Sequence, residues 1–345
     1  MFGTHIHLKY LEGGGAGVPI FFALSGFLIT TILLLEISKK NSIDVLRFYF
    51  RRILRLWPAL VVMVGVVGLY CLVAFKHQPG FRHTSLIGSW WALTYSGNWN
   101  RALHGPGLAI FGHTWSLAVE EQFYLVWPIL FVGAFFAFGR RGVFGVAVVG
   151  ALASIGLKIA LAGTTGASER LYNGTDTAAD QLLFGCALAT LFFVKPKIVK
   201  SVCSALVIPS LVIIFAVITQ QAALQFLSPY TQSVVALSAT FVIGFLVTSS
   251  ESRLSRLLSV APLAYLGRIS YGFYLWHAPI RTVVGGHVSS YFWMFSLTLL
   301  LSLATASASY HFVEQPILKW RDRRTLKLEE RDEGLTVATH LMGNR

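Results

Sequence analysis

Apolar residues in this sequence come in long runs that are separated by short polar segments. Most runs approach the ~20 residues that an α-helix needs to cross the hydrocarbon core of a bilayer. Alternating segments of about ten residues, which mark the strands of a membrane β-barrel, are absent from the sequence. We therefore predict an all-α fold, a polytopic transmembrane helical bundle with about nine full spans. The predicted spans are 17–36, 56–75, 114–138, 143–162, 177–194, 201–219, 233–249, 269–287 and 291–312.

The composition is that of a membrane protein rather than a soluble domain. Of the 345 residues, 55% are hydrophobic and only 12% are charged, which lies outside the usual range of soluble proteins. The spans follow one another too closely to leave room for a separate soluble core. We predict one membrane-embedded domain over 1–320 and a cytoplasmic tail over 321–345. Cys71, Cys186 and Cys203 lie in apolar runs, so we expect them to pack in the core and expect no metal site.

The net charge of +13 indicates topology rather than nucleic-acid binding. A nucleic-acid binder carries its charge on a polar face, whereas here the basic residues lie between apolar runs. Of the 28 Lys and Arg, 21 fall in alternate segments, as the positive-inside rule predicts. We therefore expect a multi-pass protein of the cell inner (plasma) membrane with a cytoplasmic C-terminus, provided that 85–99 lies at the interface or re-enters without spanning. The segments expected to be cytoplasmic are 37–55, 139–142, 195–200, 250–268 and the tail from 313.

The N-terminal stretch MFGTHIHLKYLEGGGAG is unusual. It has too few residues before Gly13 to cross a membrane, and it lacks the basic and apolar regions of a signal peptide. We interpret it as the outer end of a truncated first helix, caused either by a start codon assigned too late or by a shortened chain. His5 and His7 precede the glycines. A histidine can act as general base toward a hydroxyl, but an N-terminal HIH can equally be an incidental surface patch.

Four arginines crowd the start of the second predicted span, in RFYFRRILRLWP. Arg47, Arg51 and Arg55 recur every four residues, and Arg52 lies three before Arg55, so most of them point to one side of a helix. One interpretation is an anchor that snorkels to lipid phosphates. The other is a clamp for an anionic cytosolic ligand such as coenzyme A or a nucleotide, because guanidinium groups match the geometry of phosphate.

Two adjacent carboxylates, Glu120 and Glu121, interrupt the apolar stretch HTWSLAVEEQFYLVWP. An ionised carboxylate in hydrocarbon costs on the order of several kcal/mol, which makes both residues functional candidates. On a helix Glu120 shares its face with Ser116 and Tyr124, whereas Glu121 points about 100° away. We therefore expect Glu120 to face a polar cavity. The alternative is that both carboxylates lie near the outer interface and simply bind backbone or an arginine.

Further polar groups could line the same cavity. In ISYGFYLWHAPI, Tyr274 and His277 lie on one helix face together with Ser270. A lone intramembrane histidine is usually a packing residue, but the neighbouring hydroxyls make a functional interpretation equally good. Ser25, in the first predicted span, is expected to line the cavity as well.

The stretch YNGTDTAADQLLFGCALA contributes two more carboxylates. Asp176 lies at the outer mouth of a predicted span, where it could line the cavity or only cap the helix. Asp180 lies one turn further inside, so it requires a polar neighbour or contact with water. We expect both to belong to the cavity.

Six stretches together resemble the acyltransferase type 3 family of membrane proteins, the group of O-antigen and other glycan O-acetylases. They occur in one order through almost the whole chain, which makes the resemblance specific. The stretches are GVPIFFALSGFLIT (17–30), FYFRRILRLWPAL (48–60), HTWSLAVEEQFYLVWP (113–128), TDTAADQLLFGCALA (175–189), YLGRISYGFYLWHAPI (265–280) and SYHFVEQPILKW (309–320).

The resemblance implies roles for the basic residues. In the family, a histidine that precedes a glycine-rich segment is regarded as catalytic, which implies this role for His5 rather than His7. The arginine motif of the family corresponds to Arg52 and Arg55. The resemblance therefore implies that these two, helped by Arg51, handle acyl-CoA at the cytoplasmic face.

The resemblance also implies a role for the carboxylates. Glu120 or Glu121 would orient the imidazole and balance its developing charge, as a carboxylate does in a catalytic triad. Acyl-CoA, in particular acetyl-CoA, would be a co-substrate, and no bound cofactor is implied. The sequence departs from the family at Pro19, where an aspartate is usual, and at Ala178, where an arginine is common. The upstream part of the family's first helix is absent.

These inferences predict a membrane O-acyltransferase. It would move an acyl group, with acetyl expected, from cytosolic acyl-CoA to a hydroxyl of an extracytoplasmic carbohydrate or similar acceptor. Its partners would be these two substrates and the lipid bilayer, without nucleic acid. Because the arginines and His5 lie toward opposite compartments in the predicted topology, the scheme needs a deep shared cavity or a relay. The alternatives are a glycan transporter or export component with buried charges along its path and an inactive truncated paralogue.

Overall fold

The computed structural model describes residues 14–219, 230–321 and 323. Within these ranges the chain folds into helices, and no described residue lies in a β-strand. Short 3-10 helices at Gly14–Ala16 and Ala109–Thr114 and a π-helical turn at Tyr310–Glu314 supplement the α-helices. The α-helices are α1 (Gly17–Lys40), α2 (Val45–Ala74), α3 (Pro79–Leu93), α4 (Gly97–Ala102), α5 (Trp115–Leu161), α6 (Ala167–Asn173), α7 (Thr175–Val194), α8 (Pro196–Thr219), α9 (Thr231–Thr248), α10 (Arg253–Leu258), α11 (Ala261–Gly285) and α12 (Tyr291–Ser309).

Seven helical segments of the described chain are long and apolar enough to cross a membrane. This confirms the predicted all-α polytopic bundle. Two predicted spans, 114–138 and 143–162, belong to the single helix α5, whose 47 residues would extend about 70 Å, roughly twice the hydrocarbon thickness. The helix breaks at Gly139, where φ is 63° and ψ is −155°, a conformation that glycine adopts readily. The two halves of α5 therefore correspond to the two predicted spans.

Two further segments differ in apolar character from the spanning helices. Helix α11 covers the predicted span 269–287 but is not among the seven apolar segments, because polar side chains occupy one of its faces. Helix α3 has 15 residues, which gives it a length of about 22 Å. It is therefore shorter than the ~30 Å hydrocarbon core, and it covers most of the stretch predicted not to span.

Large apolar side chains cover the outer surface of the bundle, while small and polar side chains lie inside it together with the apolar core. Ile208 and Phe215 of α8 and Phe138 of α5 are exposed, whereas Thr190 and Cys186 of α7 are fully buried. This distribution is the one expected for helices surrounded by lipid, because polar groups there must be satisfied inside the protein. Cys71 and Cys203 are likewise buried free thiols.

Helices α1 and α7 pack closely through glycine. A Cβ added to Gly26 would overlap the carbonyl of Leu182, and one added to Gly185 would overlap the carbonyl of Ala23. Small residues at such crossings let two membrane helices approach backbone to backbone. This contact fixes one face of α1 against the bundle.

The apolar core is divided into several clusters. One cluster joins α1, α5 and α7 around Phe22, Leu33 and Trp127. Another joins α2, α3 and α11 around Met63 and Leu275. The region between these two clusters, bounded by α1, α2, α5 and α11, contains the candidate site.

Candidate active site

A cavity of about 410 Å³ lies between α1, α2, α5 and α11. Its α1 wall is mainly apolar and includes Phe21, Leu24, Leu28 and Ile32. The opposite walls carry the charged groups and most of the other polar groups, so charged and apolar surfaces face each other across one space. The polar lining residues are Ser25, Arg52, Arg55, Ser116, Glu120, Tyr124, Ser270, Tyr271, Tyr274 and His277.

Arg52 of α2 joins both carboxylates of α5. Its Nε and Nη2 donate to Glu121 Oε1 at 3.0 and 2.8 Å, and Nη2 also donates to Glu120 Oε1 at 3.1 Å. The guanidinium carbon lies 3.2 Å from the centre of the Tyr124 ring, in a cation–π arrangement. Because the Arg52 and Glu120 side chains are only 19% and 4% exposed, their mutual neutralisation lowers the cost of holding charge within the bundle.

Glu120 and Tyr124 belong to one face of α5 that points into the cavity. They occur four residues apart, as does Ser116 one turn earlier, and all three line the cavity. Ser25 of α1 hydrogen-bonds both the Glu120 carboxylate and the Tyr124 hydroxyl. Glu121 is not part of the lining and instead contacts Arg52 from the side. The helical spacing therefore places Glu120 in the cavity and Glu121 behind its arginine.

The wall formed by α11 is tied to the start of α5 through hydroxyl groups. Tyr274 hydrogen-bonds the Ser116 hydroxyl and donates to the backbone carbonyl of His113. The hydroxyl of Tyr271 donates to the backbone carbonyl of Leu56 at 2.7 Å, which joins α11 to α2. These bonds give the polar walls a fixed relative position.

Two imidazoles lie side by side at this wall. The ring centres of His113 and His277 are 5.5 Å apart. His277 Nδ1 lies 2.6 Å from the carbonyl oxygen of Tyr274, and His113 Nε2 lies 3.0 Å from that of Leu275. A carbonyl oxygen only accepts, so these two nitrogens carry the protons. In neutral His277 the basic nitrogen is therefore Nε2, on a ring that lines the cavity.

Gln122, the next residue after the two glutamates, holds the 95–99 segment against the bundle. Its amide nitrogen donates to the carbonyl of Tyr95 at 2.6 Å and to Asn98 Oδ1 at 2.9 Å. Its amide oxygen accepts from Trp99 Nε1 at 3.0 Å and from the hydroxyl of Thr175. Burial raises the pKa of the Tyr95 phenol far above its usual range, so this hydroxyl stays protonated. Within the EEQ stretch, Glu120 and Glu121 thus share Arg52, whereas Gln122 binds the 95–99 segment and Thr175.

The predicted arginines differ in their placement. Arg52 and Arg55 both line the cavity, whereas Arg51 is half-buried outside its lining. Arg55 is the more exposed of the two lining arginines. His5 and His7 lie outside the described residues.

Asp176 and Asp180, which the sequence grouped with the cavity, do not belong to the described lining of this cavity. The N-cap position of α7 is Gly174, and Asp176 in the first turn is bound by both terminal nitrogens of Arg170. Asp180 pairs with Lys158 at 2.7 Å, and their side chains are 0% and 1% exposed. The required polar neighbour of Asp180 is therefore a lysine from the second half of α5 rather than the cavity.

The sequence analysis did not predict several polar contacts in and around the site. Lys158, an isolated lysine in an apolar run, is buried between Asp180 and the hydroxyl of Ser233. The only sequence signal for this pair is an isolated charge in each of two apolar runs. Gln122 directly follows the two glutamates and His113 lies seven residues before Glu120, so both were visible as polar residues in the same stretch. Among the described residues, no group of three or more His, Cys, Asp or Glu could hold a metal ion.

The fold and the site define a multi-helix membrane protein with a charged cavity between its helices. A family model described as an acyltransferase domain, that of the acyltransferase type 3 family, matches residues 2–311. The chain belongs to this family.

Curated relatives cover most of this chain. O-acetyltransferase OatA of Staphylococcus aureus is 32% identical over 337 residues, which cover 91% of this chain and 54% of the relative. Peptidoglycan O-acetyltransferase OatA of Listeria monocytogenes is 32% identical over 334 residues, covering 91% of this chain and 53% of the relative. The chain thus spans about half the length of the curated relatives it matches. No solved structure matches the chain.

Proposed function

We propose that the protein is an O-acyltransferase of the inner membrane that moves an acetyl group from cytosolic acetyl-CoA to a hydroxyl of a cell-wall glycan, with peptidoglycan as the first candidate acceptor. The observation that carries the proposal is the arginine that two glutamates hold at the wall of a cavity lined by hydroxyl and imidazole groups. Family membership and the names of the relatives support the reaction class and the acceptor.

The donor would bind at the α2 wall. Arg52 already shares its charge with two carboxylates, so it is suited to hold the reacting end of the donor in a fixed orientation. Arg55 lies one turn further along α2 on the same cavity and is more exposed. Its guanidinium is suited to phosphate oxygens of coenzyme A, because guanidinium groups bind phosphate in a bidentate manner. In the proposed topology both arginines face the cytoplasmic side.

The acceptor would react at the wall formed by α5 and α11. A base removes the proton of the acceptor hydroxyl, the oxygen attacks the thioester carbonyl, and the tetrahedral intermediate collapses with release of the coenzyme A thiolate, which takes up the proton. We assign the base to His5 and the lining of the acceptor pocket to Tyr274 and His277. Glu120 would balance the positive charge that develops on the imidazole.

The test is transfer of radiolabelled acetyl from acetyl-CoA in membranes that contain the protein, with peptidoglycan fragments as acceptor. Glu120→Gln removes the charge but keeps the shape, and we expect it to lower transfer about 100-fold or more. His5→Ala should have a similar effect. Glu251→Gln serves as the matched control, because Glu251 is exposed and lies outside the cavity lining.

The outcomes separate the proposal from its alternatives. Base-labile acetyl esters on the acceptor that depend on Glu120 and His5 support the proposal. Transfer that neither substitution changes would overturn the assigned roles. Movement of glycan across the membrane without any acetyl transfer would instead favour a transporter.

A further inference from the structure

Ser25 is a cavity hydroxyl that the proposed reaction does not use. It lies in α1, lines the cavity and is 3% exposed. The α1 residues of the lining run from Gly17 to Ile32, and Ser25 lies near the middle of this range. At the rise of an α-helix it is about 12 Å from Gly17 and about 10 Å from Ile32 along the axis. Ser25 therefore lies where substrates from the two ends of the cavity would meet.

The hydroxyl of Ser25 is bound to a carboxylate. It donates its proton to Glu120 Oε1. A serine has one proton to donate, so the Tyr124 hydroxyl is the donor in its bond with Ser25 Oγ. Ser270, another serine of the lining, donates to a backbone carbonyl instead. A hydroxyl that donates to a carboxylate inside a cavity has the arrangement of a nucleophile and its base.

The charges around Ser25 favour transfer of its proton to Glu120. Arg52 binds Glu121 through two nitrogens and Glu120 through one, so the three ionised groups together carry one negative charge. A proton from Ser25 would make this set neutral, and a neutral set costs less to bury than a charged one. The Nη2 of Arg52 reaches the same Glu120 oxygen that Ser25 contacts. The guanidinium is thus beside the hydroxyl, where it can stabilise an oxyanion.

The backbone that carries Ser25 is held tightly on both sides. Ala23 and Gly26 are the positions at which α1 touches the backbone or glycines of α7. A side chain on such a rigid element keeps its orientation during a reaction. The packing of α1 against α7 therefore fixes the hydroxyl of Ser25 toward Glu120.

We propose that Ser25 is a catalytic nucleophile that carries the acetyl group as a serine ester between donor and acceptor. The inference rests on the proposed function for the identity of the donor. In the predicted topology the two substrates come from opposite compartments, and a fixed carrier between them removes the need for both to occupy the cavity at once. The alternative is that Ser25 only joins α1 to α5 through its hydrogen bonds.

The carrier divides the transfer into two balanced steps. Ser25 Oγ attacks the thioester carbonyl while its proton passes to Glu120; the C–S bond then breaks, and the leaving coenzyme A thiolate takes this proton. In the second step the base assigned to His5 takes the proton of the acceptor hydroxyl, whose oxygen attacks the serine ester. The bond from the acetyl carbon to Ser25 Oγ breaks, and this oxygen recovers the proton from the imidazolium. The overall reaction is unchanged.

The first measurement is covalent labelling of the wild type. The purified full chain in detergent is mixed with radiolabelled acetyl-CoA without acceptor and quenched in acid. We expect label on the peptide that contains Ser25, approaching about one acetyl group per chain. As an oxygen ester it should resist neutral hydroxylamine and be cleaved by mild alkali. Peptidoglycan fragments should remove the label from the wild type but not from His5→Ala, in which the second step is blocked.

The second measurement uses substitutions of the serine. Ser25→Ala should abolish the label and lower acetyl transfer about 100-fold or more. Ser25→Cys keeps a nucleophile, so it should still be labelled, but as a thioester that neutral hydroxylamine cleaves. A purely structural hydrogen bond does not predict this change of lability, and the cysteine variant serves if Ser25→Ala does not fold. The matched control is Ser210→Ala, a buried serine of α8 outside the cavity lining, which should change neither label nor transfer.

The outcomes separate this inference from the proposed function. If Ser25 acquires the label but no acetyl group reaches a glycan, the proposed acceptor fails while the nucleophile stands. If glycan is acetylated but neither the wild type nor His5→Ala carries label on Ser25, the nucleophile is overturned while the function stands. Transfer at the wild-type rate by Ser25→Ala would overturn it as well. Neither label nor transfer in the wild type would overturn both.

Discussion

Removing one partner of the buried pair of Lys158 and Asp180 should cost more stability than breaking a surface ion pair among the described residues. The Lys158→Met substitution keeps the length of the side chain but leaves the Asp180 carboxylate without its cation. The ammonium and carboxylate atoms are 2.7 Å apart, and the two side chains are 1% and 0% exposed. Asp180 Oδ2 has no hydrogen-bond partner among the described residues, so little else can compensate the lone charge.

The magnitude follows from this burial. Breaking a buried ion pair by removing one partner typically costs about 3–5 kcal/mol, because the other charge remains desolvated. At about 1.4 kcal/mol per tenfold change, the unfolding equilibrium should shift by roughly a hundredfold to a few thousandfold. The double variant Lys158→Met with Asp180→Asn removes both charges. It should recover at least about 2 kcal/mol relative to Lys158→Met.

The assay is reversible unfolding of the purified protein in mixed detergent micelles with increasing dodecyl sulfate. The matched control is Arg101→Met, which breaks an ion pair with Glu169 at 3.7 Å between side chains that are 31% and 47% exposed. Such a pair contributes about 1 kcal/mol or less. The reasoning is refuted if Lys158→Met is as mild as Arg101→Met, or if the double variant is no more stable than the single one.

Three further predictions concern packing, the 95–99 segment and the site. Gly26→Ala should lower the free energy of unfolding by about 1–3 kcal/mol, because the methyl group would force α1 away from α7. Gly65→Ala is the control for the same dodecyl sulfate titration, because nothing lies within 4 Å of its new methyl group, and it should not lower the free energy of unfolding. An equal loss of unfolding free energy in the two variants would contradict the packing argument. Gln122→Ala should leave four hydrogen-bonding groups without this partner, which should lower the free energy of unfolding by about 1–3 kcal/mol. Hydrogen exchange of residues 95–99 should increase, and unchanged exchange would show that other contacts hold this segment. Arg52→Lys keeps the charge but loses the guanidinium geometry that lets one side chain bind both glutamates, so the rate of acetyl transfer should fall at least about tenfold. A wild-type rate in this variant would show that Arg52 has no role in the mechanism.

Hydropathy and helical periodicity were sufficient to predict the all-α fold and one wall of the cavity. Runs of apolar residues predicted the helices, and the four-residue spacing of Ser116, Glu120 and Tyr124 predicted a common face, which the structure turns toward the cavity. Both properties are local, since they depend on residues within a few turns of one helix. The boundary between the two predicted spans near Gly139 could be predicted for the same reason, because it too depends on neighbouring residues.

Pairings between distant helices could not be predicted from the sequence. Arg52 and Glu121 are separated by 69 positions, and nothing in either stretch specifies the other. Asp180 was grouped with the cavity because it is a carboxylate inside a predicted span, but the second half of α5 supplies Lys158 as its partner. The π-helical turn Tyr310–Glu314 before Pro316 is a change of helix geometry that the periodicity of a regular helix does not reveal.

The most direct test of the central claim is where an acyl-CoA binds. A non-hydrolysable acetyl-CoA analogue with a photoreactive group at its acyl end can be crosslinked to the protein in membranes and mapped by mass spectrometry. The account predicts labelling of cavity-lining positions on α1, α5 or α11 next to Arg52 and Glu120, with loss of the label when excess acetyl-CoA is present. Label that acetyl-CoA displaces but that lies only on residues remote from this cavity would contradict it.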